Sequence, residues 1–168
     1  GATNTVIAQT EDNWRLNPAL SGGGLFHDLA PHQIDLMYYL FGSIKSASGL
    51  ATNKAKQTAA QDMVAGQILF HNDILFNGLW CFNSAKEENI DLCELIGSKG
   101  KISFSFFGPT KIIVAIAGAE EIVNIPHPNH VQQPMIERVV QYFLDRGENP
   151  CSGAEGAEVL RVMDTFTK

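Results

Sequence analysis

Hydrophobic and polar positions follow one another in three different rhythms along this chain. A short run from Thr3 to Gln9 reads as a strand, and a polar loop holding Trp14, Arg15 and Pro18 leads from it to three glycines. From residue 24 to 41 the rhythm is helical. At ~100° per residue, Leu25, Phe26, Leu29, Ala30, Ile34, Leu36, Met37, Leu40 and Phe41 fill one arc, with Gln33 its only polar member. Pro31 would remove a helical hydrogen bond unless the regular helix starts just before it, and in that case His32 sits in the first full turn.

After Gly42 the runs shorten. GLATNKAKQ, DMVAGQILFH, ILFNGLWCFN, IDLCELIG, KISFSFF, TKIIVAIA and EEIVNIP succeed one another, broken by Gly, Asn, Asp or Ser-Lys-Gly, which predicts a meandering antiparallel sheet. Ile74, Phe76, Gly78, Trp80 and Phe82 alternate with Leu75, Asn77, Leu79, Cys81 and Asn83. Ile102, Phe104 and Phe106 oppose Ser103 and Ser105, so one sheet face is expected to be apolar and the other mixed. Two helical patterns close the chain. Ile136, Val139, Val140 and Phe143 mark the first, and Ser152 is a suitable N-cap for the second. A helix, a run of strands and then helices predict an α+β fold, with an open, mainly antiparallel sheet and helices packed on one face.

Composition narrows the function classes. At 168 residues the chain is expected to form one domain, 1–168, with a real core. No apolar run approaches the roughly 20 residues of a membrane span, so a soluble protein is expected. A net charge of −6 with scattered Lys and Arg argues against nucleic acid as a partner. Three cysteines without a CxxC pair, two of them in apolar strand-like runs, suit reduced thiols, and no signal-peptide pattern opens the chain; a cytoplasmic protein is expected. Gly1 in place of Met is what removal of a tag leaves behind, and further sequence is expected upstream.

The candidate chemistry lies on the polar arc of the first helix: His27, Asp28, His32, Asp35 and Tyr39. Asp28 and His32 are four residues apart and His32 and Asp35 three, so these side chains project side by side. Spacing alone leaves two readings open. The arc is the solvated side of an amphipathic helix, or it faces a ligand. Its lack of Lys, Arg and Glu fits short groups that donate and accept protons to a polyhydroxylated ligand. The glycines allow tight turns or close approach of another chain or ligand. SGGGLF lacks the GxGxxG spacing and GSKGK lacks the GxxxxGK[ST] pattern, so neither is a phosphate loop, and GSKGK reads as a hairpin turn. A zinc set of Asp28, His32 and a third ligand from His127 or His130 has no HExxH or cysteine support, and no metal is expected.

Trp14 and Arg15, the proline three residues on, Ser-Gly-Gly-Gly, the spacing GGGxxxDxxxHxxD over residues 22–35 and the closing Leu-Phe-Gly resemble the substrate-side, C-terminal domain of the glucose-fructose oxidoreductase, inositol dehydrogenase and MocA (Gfo/Idh/MocA) family. The Ile-Gly-Ser-Lys-Gly turn and the Pro-Met-Ile-Glu helix before Ser-Gly-Ala-Glu-Gly extend the likeness over essentially the whole chain. The resemblance implies oxidation or reduction of a sugar, cyclitol or related polyol with NAD or NADP. It also implies an N-terminal Rossmann domain that binds the cofactor and supplies a lysine from a Glu-Lys-Pro motif. Neither GxGxxG nor Glu-Lys-Pro occurs in these residues, so the chain is expected to bind no dinucleotide and to be inactive by itself.

By that resemblance His32 matches the histidine that helps take the hydroxyl proton, and histidine's ordinary pKa of about 6.5 suits a base near neutrality. Asp28 matches the aspartate that binds substrate hydroxyls or relays the proton. Asp35 would orient His32 or stand in solvent. Arg15 would meet an acidic sugar substituent or tie its own loop down. His27 is a weak candidate, and Tyr39 reads as structural. A second class of function is a non-catalytic oligomerisation or sugar-binding module. The aromatic sheet face with Phe76, Trp80 and Phe82 would then pair subunits, as the open sheet face does in the resembled family, or meet only its own helices.

Overall fold

The computed structural model describes residues 14–168, and the strand expected at Thr3–Gln9 lies outside them. The chain is α+β. A one-turn 3-10 helix (Trp14–Leu16), α1 (Pro18–Ser21) and α2 (Leu25–Phe41) come first. The strands β1 (Ile44–Thr52), β2 (Met63–Phe70), β3 (Leu75–Cys81), β4 (Cys93–Gly97), β5 (Gly100–Phe104), β6 (Lys111–Ile116) and β7 (Ala119–Asn124) follow, and α3 (Gln133–Phe143) and α4 (Gly153–Thr167) close the chain. Every neighbouring pair of strands is antiparallel, but the single meander read from the sequence is divided into a sheet of order β1-β2-β3 and another of order β4-β5-β6-β7. The chain forms two compact units. The first comprises the residues up to Ile90 together with Gly156–Lys168, and the second comprises Asp91–Glu155.

In the first unit the register sets three cross-strand rows on the helix-covered face: Ala51–Val64–Trp80, Gly49–Gly66–Gly78 and Ala47–Ile68–Phe76. The middle row consists of glycines. A Cβ on Gly66 would stand 2.2 Å from the Phe166 ring of α4, and one on Gly78 would stand 2.2 Å from the Trp80 indole. The row is therefore a trough in which two aromatic rings lie flat on backbone. Phe26 of α2 meets Trp80 edge-on with centroids 5.1 Å apart, and Phe41 meets Phe70 at 5.5 Å. Phe26, Ala30, Ile34, Met37, Val64, Ile68, Phe70, Met163 and Phe166 are all buried.

Gln33, the polar member of the apolar arc, is buried because the Trp80 Nε1–H donates to its Oε1. A buried amide and a buried indole N–H satisfy each other, where either alone would cost about 1–3 kcal/mol. The expected alternation in β3 holds, but the aromatic side faces the unit's own helices: Trp80 is buried against Phe26 and Phe166. Of the two readings left open for this face, Trp80 takes the one in which the aromatics meet their own helices. The open face carries Leu50, Ala65 and Leu79 in one cross-strand row, with Leu50 80% and Leu79 60% exposed.

Pro31 is a further correction. The helix begins at Leu25 and runs through the proline. Pro31 has no N–H to give the His27 carbonyl, and the packing on both sides of it holds the helix across the missing bond.

In the second unit, Gly97 pairs with Gly100 around a two-residue turn, as GSKGK predicts. Ser103, expected on the polar face, is 8% exposed while Ile102 is 37% exposed. Ser103 sits opposite the exposed Glu94, which accepts its hydroxyl at 3.5 Å and the Lys101 ammonium at 2.5 Å. All three cysteines are free thiols; Cys93 is buried, and burial, helped by Asp91 and Glu94, pushes its thiol pKa up to about 11. No residue of α3 is buried, and its apolar stripe is presented to solvent. At the start of α4, Ser152 Oγ accepts the Glu155 N–H at 3.2 Å and the Glu155 carboxylate accepts the Ser152 N–H at 2.6 Å, a reciprocal cap.

The substitution Gly66→Ala is expected to lower stability by about 1–3 kcal/mol by overpacking against Phe166. In a Phe166→Leu background the same substitution should cost clearly less, because the two sites share one volume. Denaturant melts of the four proteins measure this coupling, and equal costs in both backgrounds would show that the trough does not seat the ring.

Candidate active site

The approach to α2 is built from local hydrogen bonds. Asn17 Oδ1 accepts the Ala19 N–H at 3.0 Å to start α1, and Gly22 ends it at φ 83 with its N–H donated to the Pro18 carbonyl. Ser21 Oγ accepts the Gly24 N–H at 2.8 Å, closing the turn across the glycines. The room at Gly23 and Gly24 is taken up by the chain itself. A Cβ on Gly23 would lie 1.9 Å from His27 Nδ1, and one on Gly24, at φ +77, would lie 2.4 Å from Ala60 Cβ. The close approach expected of another chain or a ligand is thus made by His27 and Ala60.

From this start α2 sets one side into the core and turns the other outward. Asp28 and Asp35 are half-buried, His32 is exposed, and Tyr39, read as structural, is 73% exposed. Asp28 and His32 stand one turn apart on a continuous helix, a separation of about 5–6 Å between Cβ atoms. Arg15 joins them from the 3-10 turn: its Nε is 3.3 Å from Asp28 Oδ2, and its guanidinium lies over the Trp14 ring at 4.6 Å from the centroid. Arg15 therefore ties its own segment to α2. Trp14 entered the sequence reading only through the Trp-Arg pair that carries the family resemblance, and not as a site residue.

His27 turns the other way, toward α4. Its Nε2 is 4.0 Å from Asp164 Oδ1, and its buried Nδ1 has no hydrogen-bond partner of good geometry among the described residues. Burial lowers its pKa below the ordinary histidine value, against the opposing pulls of the Gly23 backbone and Asp164. His27 thus belongs to the packing behind the site. Among the described residues no group of three or more His, Cys, Asp or Glu is gathered as a metal site would need, and no helix is long and apolar enough to cross a membrane. The glycines at 22–24 lie in the turn before α2, and those at 97 and 100 flank the β4–β5 turn.

Antiparallel sheets with helices, and a helix bearing an outward Asp–His pair, make this an α+β fold. Residues 3–103 match the GFO/IDH/MocA C-terminal domain, and the chain belongs to that family of oxidoreductases. It is 47% identical over 161 residues to Oxidoreductase P35 of Formosa agariphila, covering 96% of this chain and 49% of that protein. The chain therefore spans about half the length of this curated relative. Its fold is that of the aldose-aldose oxidoreductase from Caulobacter crescentus, solved with glycerol (TM-score 0.80, 20% identity, 97% of this chain and 49% of that one). It is also that of levoglucosan dehydrogenase solved with NADH and levoglucosan (TM-score 0.75, 21% identity, 92% of this chain and 50% of that one).

The buried His27 gives a prediction for pH. Its folded-state pKa lies below the unfolded value of about 6.5, so the unfolded chain binds more protons as pH falls through that value, and stability falls with it. Asp62, Glu155 and Asp164, whose pKa values are lowered in the fold, add a separate loss only at lower pH, as they protonate below about 4. Thermal melts should show Tm declining from pH 7.5 to 5.5 in the parent. His27→Gln should flatten that interval and leave the acid limb, and an unchanged slope would remove His27 as its source.

Proposed function

We propose that this chain forms the substrate side of an NAD- or NADP-dependent oxidoreductase acting on a sugar, cyclitol or similar polyol. A Rossmann domain elsewhere in the full-length protein then holds the dinucleotide, and the chain alone is expected to be inactive. The observation that carries this reading is the outward face of α2, where Asp28 and His32 stand one turn apart on a helix whose opposite side is fixed in the core. Family membership and the sugar-named structures of the same fold support it.

In this reading the redox step belongs to the cofactor domain of the full-length protein, and this chain handles hydroxyls and protons. Oxidising a secondary alcohol requires a base within hydrogen-bond reach of the hydroxyl. His32 takes that proton in oxidation and returns it in reduction. Asp28 accepts hydrogen bonds from neighbouring hydroxyls, and Asp35, three residues beyond His32, orients the imidazole. In the full-length protein His32→Ala is expected to lower kcat by ~10²-fold or more with its polyol substrate. Turnover retained within a few-fold would take the proton-transfer role from His32.

A second reading concerns assembly, and Leu50, Leu75 and Leu79, exposed on the outer face of β1–β3, favour it. This apolar row joins copies of the chain. Gel filtration is expected to show a dimer or larger species that Leu79→Glu dissociates, and a monomeric parent would count against the interface.

A further inference from the structure

The helix that carries Asp28 and His32 begins without a side-chain cap. Gly24, at φ 77, is its N-cap residue, and Asp28 lies in the first turn with its N–H donated to the Gly24 carbonyl at 3.3 Å. An uncapped first turn is the part of a helix that opens most readily. The contact that covers Gly24 comes from the loop between β1 and β2: Ala60 is 4% exposed, and a Cβ on Gly24 would stand 2.4 Å from its methyl carbon. That loop, residues 53–62, is braced by its own hydrogen bonds. Asp62 accepts the N–H groups of Lys54 at 2.8 Å and Ala55 at 2.6 Å, and its backbone bonds to Thr52 at the end of β1 and to Phe82 just past β3. Asn53 accepts the Lys56 N–H at 2.8 Å and donates to the Thr58 carbonyl at 2.6 Å, and the Thr58 hydroxyl accepts the Ala60 N–H at 3.2 Å. Ala60 is thus held in place from the sheet.

We infer that Ala60 is a positioning residue: the β1–β2 loop presses on Gly24, holds the first turn of α2 closed and so keeps the Asp28 carboxylate in register with His32. The path of contact is short. Ala60 meets Gly24, the Gly24 carbonyl holds the Asp28 N–H, and Asp28 stands one turn before His32. Pro31 adds to the need for this support, because it has no N–H for the His27 carbonyl and the first turn is tied to the rest of the helix by one bond fewer. Arg15 meets the Asp28 side chain, whereas the loop acts on the backbone beneath it. Displacing a functional group by ~1 Å is enough to lower a rate by about 10²-fold, so a methyl group behind the start of the helix reaches turnover. The inference rests on the polyol reading above, through the role given there to Asp28.

The test uses the full-length protein and two readouts. Hydrogen exchange of the amides in segment 22–31, followed by mass spectrometry, is independent of turnover. Ala60→Gly removes the methyl and is expected to speed that exchange at least about threefold while the amides of β2 keep the parent's protection. Ala60→Ser keeps the carbon and should exchange as the parent does. The second readout is the initial rate with glucose, galactose, mannose and myo-inositol and either NAD or NADP, continued on the pair turned over fastest. Ala60→Gly should lower kcat/KM roughly five- to tenfold, and Ala60→Ser should stay within about twofold of the parent. In an Asp28→Asn background the effect of Ala60→Gly should shrink below about twofold, because the two changes act through one carboxylate. Asp62→Ala frees the loop from its other end and should act in the same direction, and it takes the place of Ala60→Gly if that variant does not fold. Unchanged exchange in segment 22–31, an equal loss in Ala60→Ser, or an undiminished effect in the Asp28→Asn background overturns the inference. If Asp28→Asn leaves turnover intact, or no polyol is turned over by the parent, the polyol reading is removed instead, and faster exchange in Ala60→Gly would leave Ala60 a brace of the fold alone.

Discussion

Three glycines in register, Gly49, Gly66 and Gly78, are the constraint on which the first unit depends. A sheet face studded with side chains would hold a helix at the usual distance of about 10 Å. Here the middle row has none, and the rings of Phe166 and Trp80 occupy the space. Trp80, lying in the trough, meets Phe26 and donates its indole hydrogen to Gln33, so α2 is fixed by an aromatic contact and by a directional bond. Rotation of α2 about its axis would break that bond and leave two buried polar groups unpaired. The outward orientation of Asp28 and His32 thus follows from what happens on the other side of their helix.

The start of α2 is specified as tightly. Gly22 ends one helix, Gly23 leaves space for the His27 ring, and Gly24, against Ala60, begins the next. The local chain is committed to this path before the site residues are reached, and Arg15 is brought back over Asp28 by the same turn. Preorganisation of this kind, with functional groups on a packed helix supported from a neighbouring segment, keeps the geometry from depending on a mobile loop.

The helical rhythm of residues 24–41 and the runs that became β1–β7 were visible in the sequence because burial on one face imposes a period that composition displays. The pairing of Asp28 and His32 on one face follows from the same period. The glycine row was not visible, since Gly49, Gly66 and Gly78 are far apart in sequence and their alignment is a product of register. The burial of Ser103 was not legible because alternation says which residues share a face but not how far each is covered; its hydroxyl meets Glu94 across the strands, a partner that only register supplies. Pro31 misled because propensity is local, whereas the packing of Phe26, Ala30, Ile34 and Met37 holds the helix on both sides of it. Arg15 was legible as a residue type, but its partner was not, because a salt bridge between a loop and a helix leaves no periodic trace.

The ring that fills the glycine trough comes from residue 166, almost the last of the chain, while the trough itself is complete by residue 78. Between them, in order of synthesis, lies the whole of the second unit. During translation β1–β3 and α2 are made early, at roughly 5–20 residues per second, and wait with their aromatic face uncovered until α4 emerges. The first unit is therefore sealed last, by a contact of high sequence separation of the kind that slows folding. A ribosome stalled before Phe166 would hold a sheet with an open seam, so loss of Phe166 would reach the site-bearing helix through the core.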